Sequence, residues 1–385
     1  MPFTAPCFKR HLHARRPPSG SLQSSGSQHS VSFHYGRERG LVLEDLDDTQ
    51  LLLISLLDGQ HSFEQIVSRL QQHDPKVTAG DVNEALEDLA AYGLIEDASV
   101  QPPADFTPTD LERYESQLRF LSVLDRSGTQ KYELQARLKR ARVTVLGLGG
   151  LGSNVLMGLA AIGIGFLRGV DFDRVEMGNL NRQVLYDVAD VGIPKALAAA
   201  GQLGRFNPDV IFEPVQKKIE SQRDIVDLIQ DTDLVAFCAD LPPGITMWMN
   251  QAALETGIPF ITGGYRGTAA EIGPFVIPYQ TGCLECFFVG QAAMDDEIPE
   301  LAWINDAYWL RHPNIHFLTA LAANLACSDI FKHITGLGEP ATYNHLYTLD
   351  SEQFTLTPTA WGRSEACPAC GQRKEAVLSA EIQKM

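Results

Sequence analysis

Four cysteines in two Cys-x-x-Cys pairs, Cys283/Cys286 and Cys367/Cys370, carry a specific chemical signal in this sequence. Each pair offers two thiolates within one turn's reach, and two such pairs compose a tetrahedral four-sulfur site for Zn2+. The bland alternative, unrelated buried cysteines, leaves the matched spacing unexplained. All four ligand positions are filled by protein, with no place left for water. The expected ion is therefore structural, pinning the C-terminal tail to the domain before it. Of the other cysteines, Cys238 follows an apolar run and Cys327 sits among Leu325, Ala326 and Ile330. Both read as small packed apolar residues.

A second constellation begins at Val143–Leu146, an apolar run that enters Gly147-Leu148-Gly149-Gly150-Leu151-Gly152 and then a helical pattern. Glycines let the backbone approach a phosphate closely, and the helix start offers it unpaired N–H groups. Asp171 follows the next apolar run, where a carboxylate holds ribose hydroxyls. These features alone fit an NAD enzyme equally well. The following segment separates the two readings. Arg182 and Lys195 fall where a triphosphate needs cations against the charge that builds as pyrophosphate leaves, and a dinucleotide does not. Asp240 stands just beyond the run Leu234–Phe237, at the carboxyl end where open sheets place ligands, and a carboxylate there holds Mg2+. Taken singly, Arg182 and Lys195 could be solvated surface charge and Asp240 a helix cap; the joint pattern favours a nucleotide triphosphate site.

The elements that position these groups read as two modules. Short strands are expected at His11–Arg15, Val31–Tyr35 and Leu41–Leu43, around a Gly/Ser-rich stretch, Ser19–Ser27, expected to be a flexible loop. Three helical stretches follow. Leu51, Leu52, Leu56 and Leu57 mark the first; Ser62 with Gln65 opens the second as a capping box; Thr78 with Asp81 opens the third, whose stripe is Val82, Leu86, Leu89 and Ala90. Residues 1–100 thus read as a winged-helix-like α+β domain. Its third helix presents Asp81, Glu84, Glu87 and Asp88, which repel phosphates, so DNA is not the expected partner. Residues 101–112 read as a linker. From 113 to 385 short apolar runs, among them Phe166–Val170, Ile211–Val215 and Phe260–Thr262, alternate with helical stretches, the pattern of an α/β, doubly wound, mostly parallel Rossmann-like sheet.

The bulk numbers agree with that reading. The chain has 385 residues, 44% hydrophobic and 21% charged, with a formal charge of −17, which argues against general nucleic-acid binding. Arg15-Arg16 is followed by Pro17, Pro18 and Ser19 rather than an apolar stretch, and no run is long enough to cross a membrane, so the expected location is the cytoplasm.

From about Arg113 onward the chain resembles the ThiF/MoeB/HesA family, the adenylating core shared with ubiquitin-activating enzymes. The residues that carry the resemblance are Gly147 to Gly152, Asp171-Phe172-Asp173, Asn179-Leu180-Asn181-Arg182-Gln183, Lys195, Asp240 and both cysteine pairs. It implies ATP as substrate, with Asp171, Arg182, Lys195 and Asp240 at ribose, triphosphate and magnesium, Gly147, Gly149, Gly150, Gly152 and Asp173 at the nucleotide, and Asn179 and Gln183 nearby. It also implies a homodimer in which an arginine just before the core reaches the partner's ATP site. The family pattern there is Arg-Tyr-x-Arg-Gln, but here Ser116 replaces the second arginine in Arg113-Tyr114-Glu115-Ser116-Gln117. Arg119, one turn on, is the expected substitute, with Arg113 second. The run after Asp240 also departs from the family, which continues with Asn and later Arg. The acidic run Asp295–Glu297 falls where the family often has a mobile loop.

The front module resembles the PqqD-like peptide-recognition element, on Leu56-Leu57-Asp58-Gly59, Phe63-Glu64-Gln65-Ile66 and Ala90-Ala91-Tyr92-Gly93-Leu94-Ile95. That resemblance implies a leader peptide added as a strand to a sheet edge. The fusion resembles MccB-like enzymes and the partner proteins of azoline-forming cyclodehydratases. It implies adenylation of a carboxylate in a leader-bearing precursor peptide, during biosynthesis of a ribosomally made modified peptide. Two alternatives stand beside it: activation of a Gly-Gly-ended sulfur-carrier protein, and a non-catalytic peptide-delivery partner of a cyclodehydratase.

Overall fold

A computed structural model of the chain describes residues 3–9, 12–15, 30–35, 39–128, 130–266, 268–286 and 315–371. The Ser19–Ser27 stretch and the Asp295–Glu297 run lie outside the described residues. The chain divides into two compact units, Met1–Ala136 and Arg137–Met385.

In the first unit β1 (Pro6–Phe8) pairs antiparallel with β5 (Ile95–Asp97), while β2 (His13–Arg15), β3 (Val31–Tyr35) and β4 (Arg39–Leu43) form a second antiparallel sheet. Between them run α1 (Asp48–Leu56), α2 (Phe63–His73) and α3 (Ala79–Ala91). Each of these helices opens on a reciprocal capping box, Asp47 with Gln50, Ser62 with Gln65 and Thr78 with Asp81, so two otherwise orphaned N–H groups are satisfied at every start. Their apolar stripes meet in one core of Phe33, Leu53, Ile66, Leu70, Leu86, Leu94 and Ile95. The expected 101–112 linker contains the start of a helix. Thr107 caps α4 (Pro108–Arg113), Pro108 occupying the first turn, where its missing N–H costs nothing. Then come α5 (Glu115–Leu124) and α6 (Lys131–Arg140). Lys9 is buried and donates to the backbone oxygens of Ser122 and Asp125, tying β1 to the end of α5.

The second unit holds an eight-stranded sheet in the order β13-β12-β11-β10-β9-β6-β7-β8. Its parallel part is β6 (Arg142–Leu146), β7 (Phe166–Val170), β8 (Ile211–Val215), β9 (Leu234–Phe237) and β10 (Phe260–Arg266). The order reverses between β6 and β9, which creates the crevice where such folds place a ligand. One face carries α7 (Gly150–Ile162), α8 (Lys195–Phe206) and α11 (His316–Thr335), and the other carries α9 (Gln222–Ile229) and α10 (Ile245–Thr256). Successive residues of β9 therefore enter different cores, Leu234 and Ala236 one, Val235 and Phe237 the other. Burial on both faces explains the predominantly apolar runs of β6 and β9 in the sequence. The antiparallel extension β11 (Ala269–Val276), β12 (His345–Asp350) and β13 (Thr355–Ala360) has no counterpart in the sequence-based expectation. No described helix is long and apolar enough to cross a membrane.

Candidate active site and metal centre

The glycine turn sits at the switch between β6 and β9. Gly147 has φ +87°, and a Cβ there would lie 2.8 Å from the Cys238 carbonyl oxygen and 2.9 Å from Ala239 Cα. Only glycine fits both the left-handed backbone and this close approach. The same approach sets Asp240 beside the turn, one residue beyond Ala239 and exposed. Gly147→Ala is expected to destabilise the second unit by about 2 kcal/mol, through strain and through displacing the β9 end. Urea unfolding checks it; an unchanged midpoint would contradict the account of the turn.

Asp171, buried at the end of β7, holds the turn from the other side. One carboxylate oxygen accepts the Leu148 N–H at 2.7 Å, the other the Asp173 N–H at 2.8 Å. The Tyr186 hydroxyl, buried and pushed well above its ordinary pKa by desolvation, donates to the Leu148 carbonyl at 3.0 Å. Asn154 Nδ2 donates to the Gly150 and Arg182 carbonyls at 2.8 and 3.0 Å, fastening the first turn of α7 to the segment that bears the cation. Asn179 accepts the Glu176 N–H at 3.0 Å and so shapes the single 3-10 turn Met177–Asn179 that leads into Arg182.

The two cations are placed differently. Arg182 runs along α7: its Cδ lies 3.5 Å from where a Gly150 Cβ would be. Its Nη1 donates to the Gly178 carbonyl and the Asn181 side chain at 2.9 and 3.0 Å, while its buried Nε has no partner among the described residues. Lys195 is the first residue of α8, only 6% exposed, and its Nζ meets Asp173 at 3.1 Å. Burial opposes a charge, and a cation at a helix N-terminus opposes the macrodipole. Gln183 is buried beside Gly149, and its Oε1 has no partner among the described residues. The glycines, Asp171, Asp173, Asn179, Arg182, Gln183, Lys195 and Asp240 thus gather at the carboxyl ends of β6, β7 and β9. Arg119 lies in the first unit, exposed on α5 and paired with Glu115 one turn away. Four polar residues escaped the sequence reading: Tyr186 and Asn154, and Tyr265 and His316, whose buried hydroxyl and Nδ1 lack partners among the described residues.

The cysteine pairs converge. All four ligand sulfurs lie within 4.8 Å of one another and all four residues are buried. Cys283 Sγ is 3.8 Å from Cys286 Sγ and 3.7 Å from Cys367 Sγ, and Cys286 Sγ is 3.3 Å from Cys370 Sγ. A tetrahedron with Zn–S of about 2.3 Å has edges of about 3.8 Å, whereas a disulfide needs about 2.0 Å. The donor set fits zinc. Cys286 is pulled below the ordinary thiol range by the hydrogen bond from the Cys283 thiol, aided by the Ser364 N–H at 3.4 Å from its sulfur. Trp361 Nε1 donates to the Cys283 carbonyl at 2.9 Å, and Arg363 to that of Cys370 at 3.0 Å, so both knuckles are held by their surroundings.

The ThiF family profile matches residues 114–370, which spans the site and the cysteine cluster. The chain belongs to the ThiF family. A sulfur carrier protein adenylyltransferase of Thermus thermophilus is 32% identical over 270 residues, covering 69% of this chain and 93% of that protein. The molybdopterin-synthase adenylyltransferase of Escherichia coli is 29% identical, covering 70% of this chain and all of its own length. This ThiF-family chain is accordingly an enzyme of the adenylyltransferase type. Among solved structures, that of E. coli MccB superposes with a TM-score of 0.75 at 23% identity, covering 96% of this chain and 98% of MccB. A structure of PaaA gives 0.69 at 21%, covering 92% and 100%. Both show the fold, front unit included.

Proposed function

We propose that the chain uses ATP to adenylate a carboxylate of a leader-bearing precursor peptide, in the biosynthesis of a ribosomally made modified peptide. The observation that carries this reading is the pairing, in one chain, of an adenylating core with a separate front unit of small sheets and helices. In this reading Arg182 and Lys195 hold the triphosphate, Asp240 its magnesium, and Asp171 the ribose, with Gly147, Gly149, Gly150, Gly152, Asp173, Asn179 and Gln183 around them. Attack of the peptide carboxylate on the α-phosphorus forms the acyl-adenylate and expels pyrophosphate, whose growing charge the two cations offset. The front unit acts as a PqqD-like element, and an incoming leader adds a strand to one of its sheet edges. The fold shared with MccB supports this. One of its structures is of the microcin C7 biosynthetic enzyme in complex with N-formylated MccA.

A second reading is favoured by sequence rather than by fold. The relatives at about 30% identity include a sulfur carrier protein adenylyltransferase and a SAMP-activating enzyme E1 of Haloferax volcanii. Their matches cover 69% of the chain, against 96% for MccB. Pyrophosphate exchange run with a short precursor peptide from the gene neighbourhood, and with a Gly-Gly-ended carrier, separates the two. The peptide is expected to support exchange. Exchange with the carrier alone would overturn the first reading in favour of the second.

The working form is proposed to be a homodimer. The exposed face of α11 carries Phe317, Leu321 and Leu325, one every fourth residue, with Ile315 beside them. A stripe of that kind needs a cover. Leu321→Glu is expected to shift the protein from dimer to monomer in light scattering; an unchanged mass would contradict this face as the interface. In the dimer, Arg119 is the residue proposed to reach the partner's triphosphate, with Arg113 second. Mixing Arg119→Ala with Lys195→Ala chains then restores part of the activity, because one of the two sites carries neither defect.

A further inference from the structure

We infer that the Tyr265 hydroxyl is a binding group for the nucleotide's phosphates, donating with Arg182 Nε to an anionic oxygen of bound ATP. The inference rests on the adenylation reading and adds a residue to it that neither the sequence motifs nor the relatives assign. Tyr265 stands near the end of β10, whose first residues pair in parallel with β9. Gly263, two residues earlier on the same face of the strand, is packed so tightly on α7 that a Cβ there would lie 3.2 Å from Leu151 Cδ2. Tyr265 packs against the core on that same side of the sheet. Its surroundings are the glycine turn's neighbours. Cys238, 3.2 Å from where a Gly152 Cβ would be, and Arg182 both act electrostatically on its hydroxyl.

The hydroxyl is buried and makes no hydrogen bond among the described residues, and the same holds for Arg182 Nε. A buried unpaired donor is disfavoured unless something arrives to accept from it. Both orphans are donors; Arg182 lies against Gly150 at the start of α7, Tyr265 is two residues from Gly263, which packs on Leu151 of the same helix, and α7 itself begins with uncapped N–H groups, its N-cap being Gly149. One species satisfies all of them at once: an anion with several acceptor oxygens. Burial holds the phenol well above its ordinary pKa, so it stays an O–H donor at every working pH. A phenolate would repel the phosphate; the neutral phenol does not.

Tyr265→Phe removes this hydroxyl and keeps the ring in its packing. The full-length variant is expected to be as stable as the wild type or more so without ligand, since an unpaired buried group has gone. With MgATP and AMP as probes, affinity by calorimetry should fall about tenfold, the loss of one charge-assisted hydrogen bond, while adenosine affinity stays unchanged. Unchanged MgATP affinity would overturn the assignment. An equal loss for adenosine would also overturn it, since the ring's packing rather than a phosphate contact would then be responsible. A wild-type protein that binds no MgATP at all would overturn the adenylation reading itself, and this assignment with it.

Discussion

Replacing Cys283 or Cys367 by serine is expected to release zinc and to cost the second unit much of its stability. The wild type should carry about one zinc per chain. The four cysteines belong to a core that also contains Val235, Phe237, Phe260 and Trp361, so a zinc bound there would stand where hydrophobic residues otherwise meet. It also links residues 84 positions apart, since Cys283 meets Cys367 and Cys286 meets Cys370. A serine hydroxyl does not ionise in this range and is a poor zinc ligand, so one substitution leaves three thiolates and an open position. Metal binding is folding energy at such sites, and its loss belongs among the few changes that exceed about 4 kcal/mol. For a unit of this size that lowers the thermal midpoint by about 10 °C. Cys7→Ser, outside the cluster, should keep both zinc and midpoint. Metal analysis finding no zinc in cleanly purified wild-type protein, or a Cys283→Ser variant with an unchanged midpoint, would contradict the structural role.

Lys195→Ala is expected to abolish most of the chemistry while leaving the fold nearly intact. The side chain's recorded partner, Asp173, is half exposed at 50%, so water replaces the lost bond there at little cost. Removing a cation from the first turn of α8 even relieves an unfavourable interaction with the helix dipole. The loss falls instead on the transition state, where negative charge accumulates on the departing pyrophosphate. A fixed cation or donor at such a place contributes roughly a hundredfold to a thousandfold in turnover. Turnover should therefore drop by that order, with ATP affinity changed much less and the thermal midpoint moved by no more than a degree or two. If turnover and the midpoint fell together, Lys195 would be a structural residue and the assignment would fail.

The parallel part of the sheet was legible because both its faces are buried. In Val143–Leu146, Phe166–Val170 and Leu234–Phe237 the only polar side chains are Thr144 and Arg168, and each run became a strand at or within one residue of those bounds. The second and third front helices were legible from Ser62/Gln65 and Thr78/Asp81, whose reciprocal caps are local and leave a local signature, and the first from its leucine spacing. The antiparallel extension was not. β11 is interrupted by Gly273 and Pro274, and β13, Thr-Leu-Thr-Pro-Thr-Ala, is exposed throughout, so neither shows a clean apolar pattern. β1 and β5 have three residues each and pair across some ninety positions, a contact with no signature in either segment. The start of α4 inside the expected linker had its signal in Thr107 and Asp110, which the prolines around them obscured.

The candidate site divides along the same line. The glycine turn, Asp171, Arg182 and Lys195 are close in sequence and are joined by the fold as their spacing implied. Asn154 had no independent signal, because an asparagine in a helix's second turn is ordinary until its amide is seen reaching the Arg182 carbonyl. Tyr265 and His316 come from β10 and α11, far along the chain, and only three-dimensional burial shows that their polar atoms lack partners.

The central claim is adenylation, and the product ratio tests it most directly. The wild-type protein is incubated with MgATP, the candidate precursor peptide and labelled pyrophosphate, and the nucleotides are resolved by phosphorus NMR. Label returning to ATP only when the peptide is present, with AMP, free or on the peptide, as the nucleotide product, is the predicted result; release of ADP and inorganic phosphate would contradict the account.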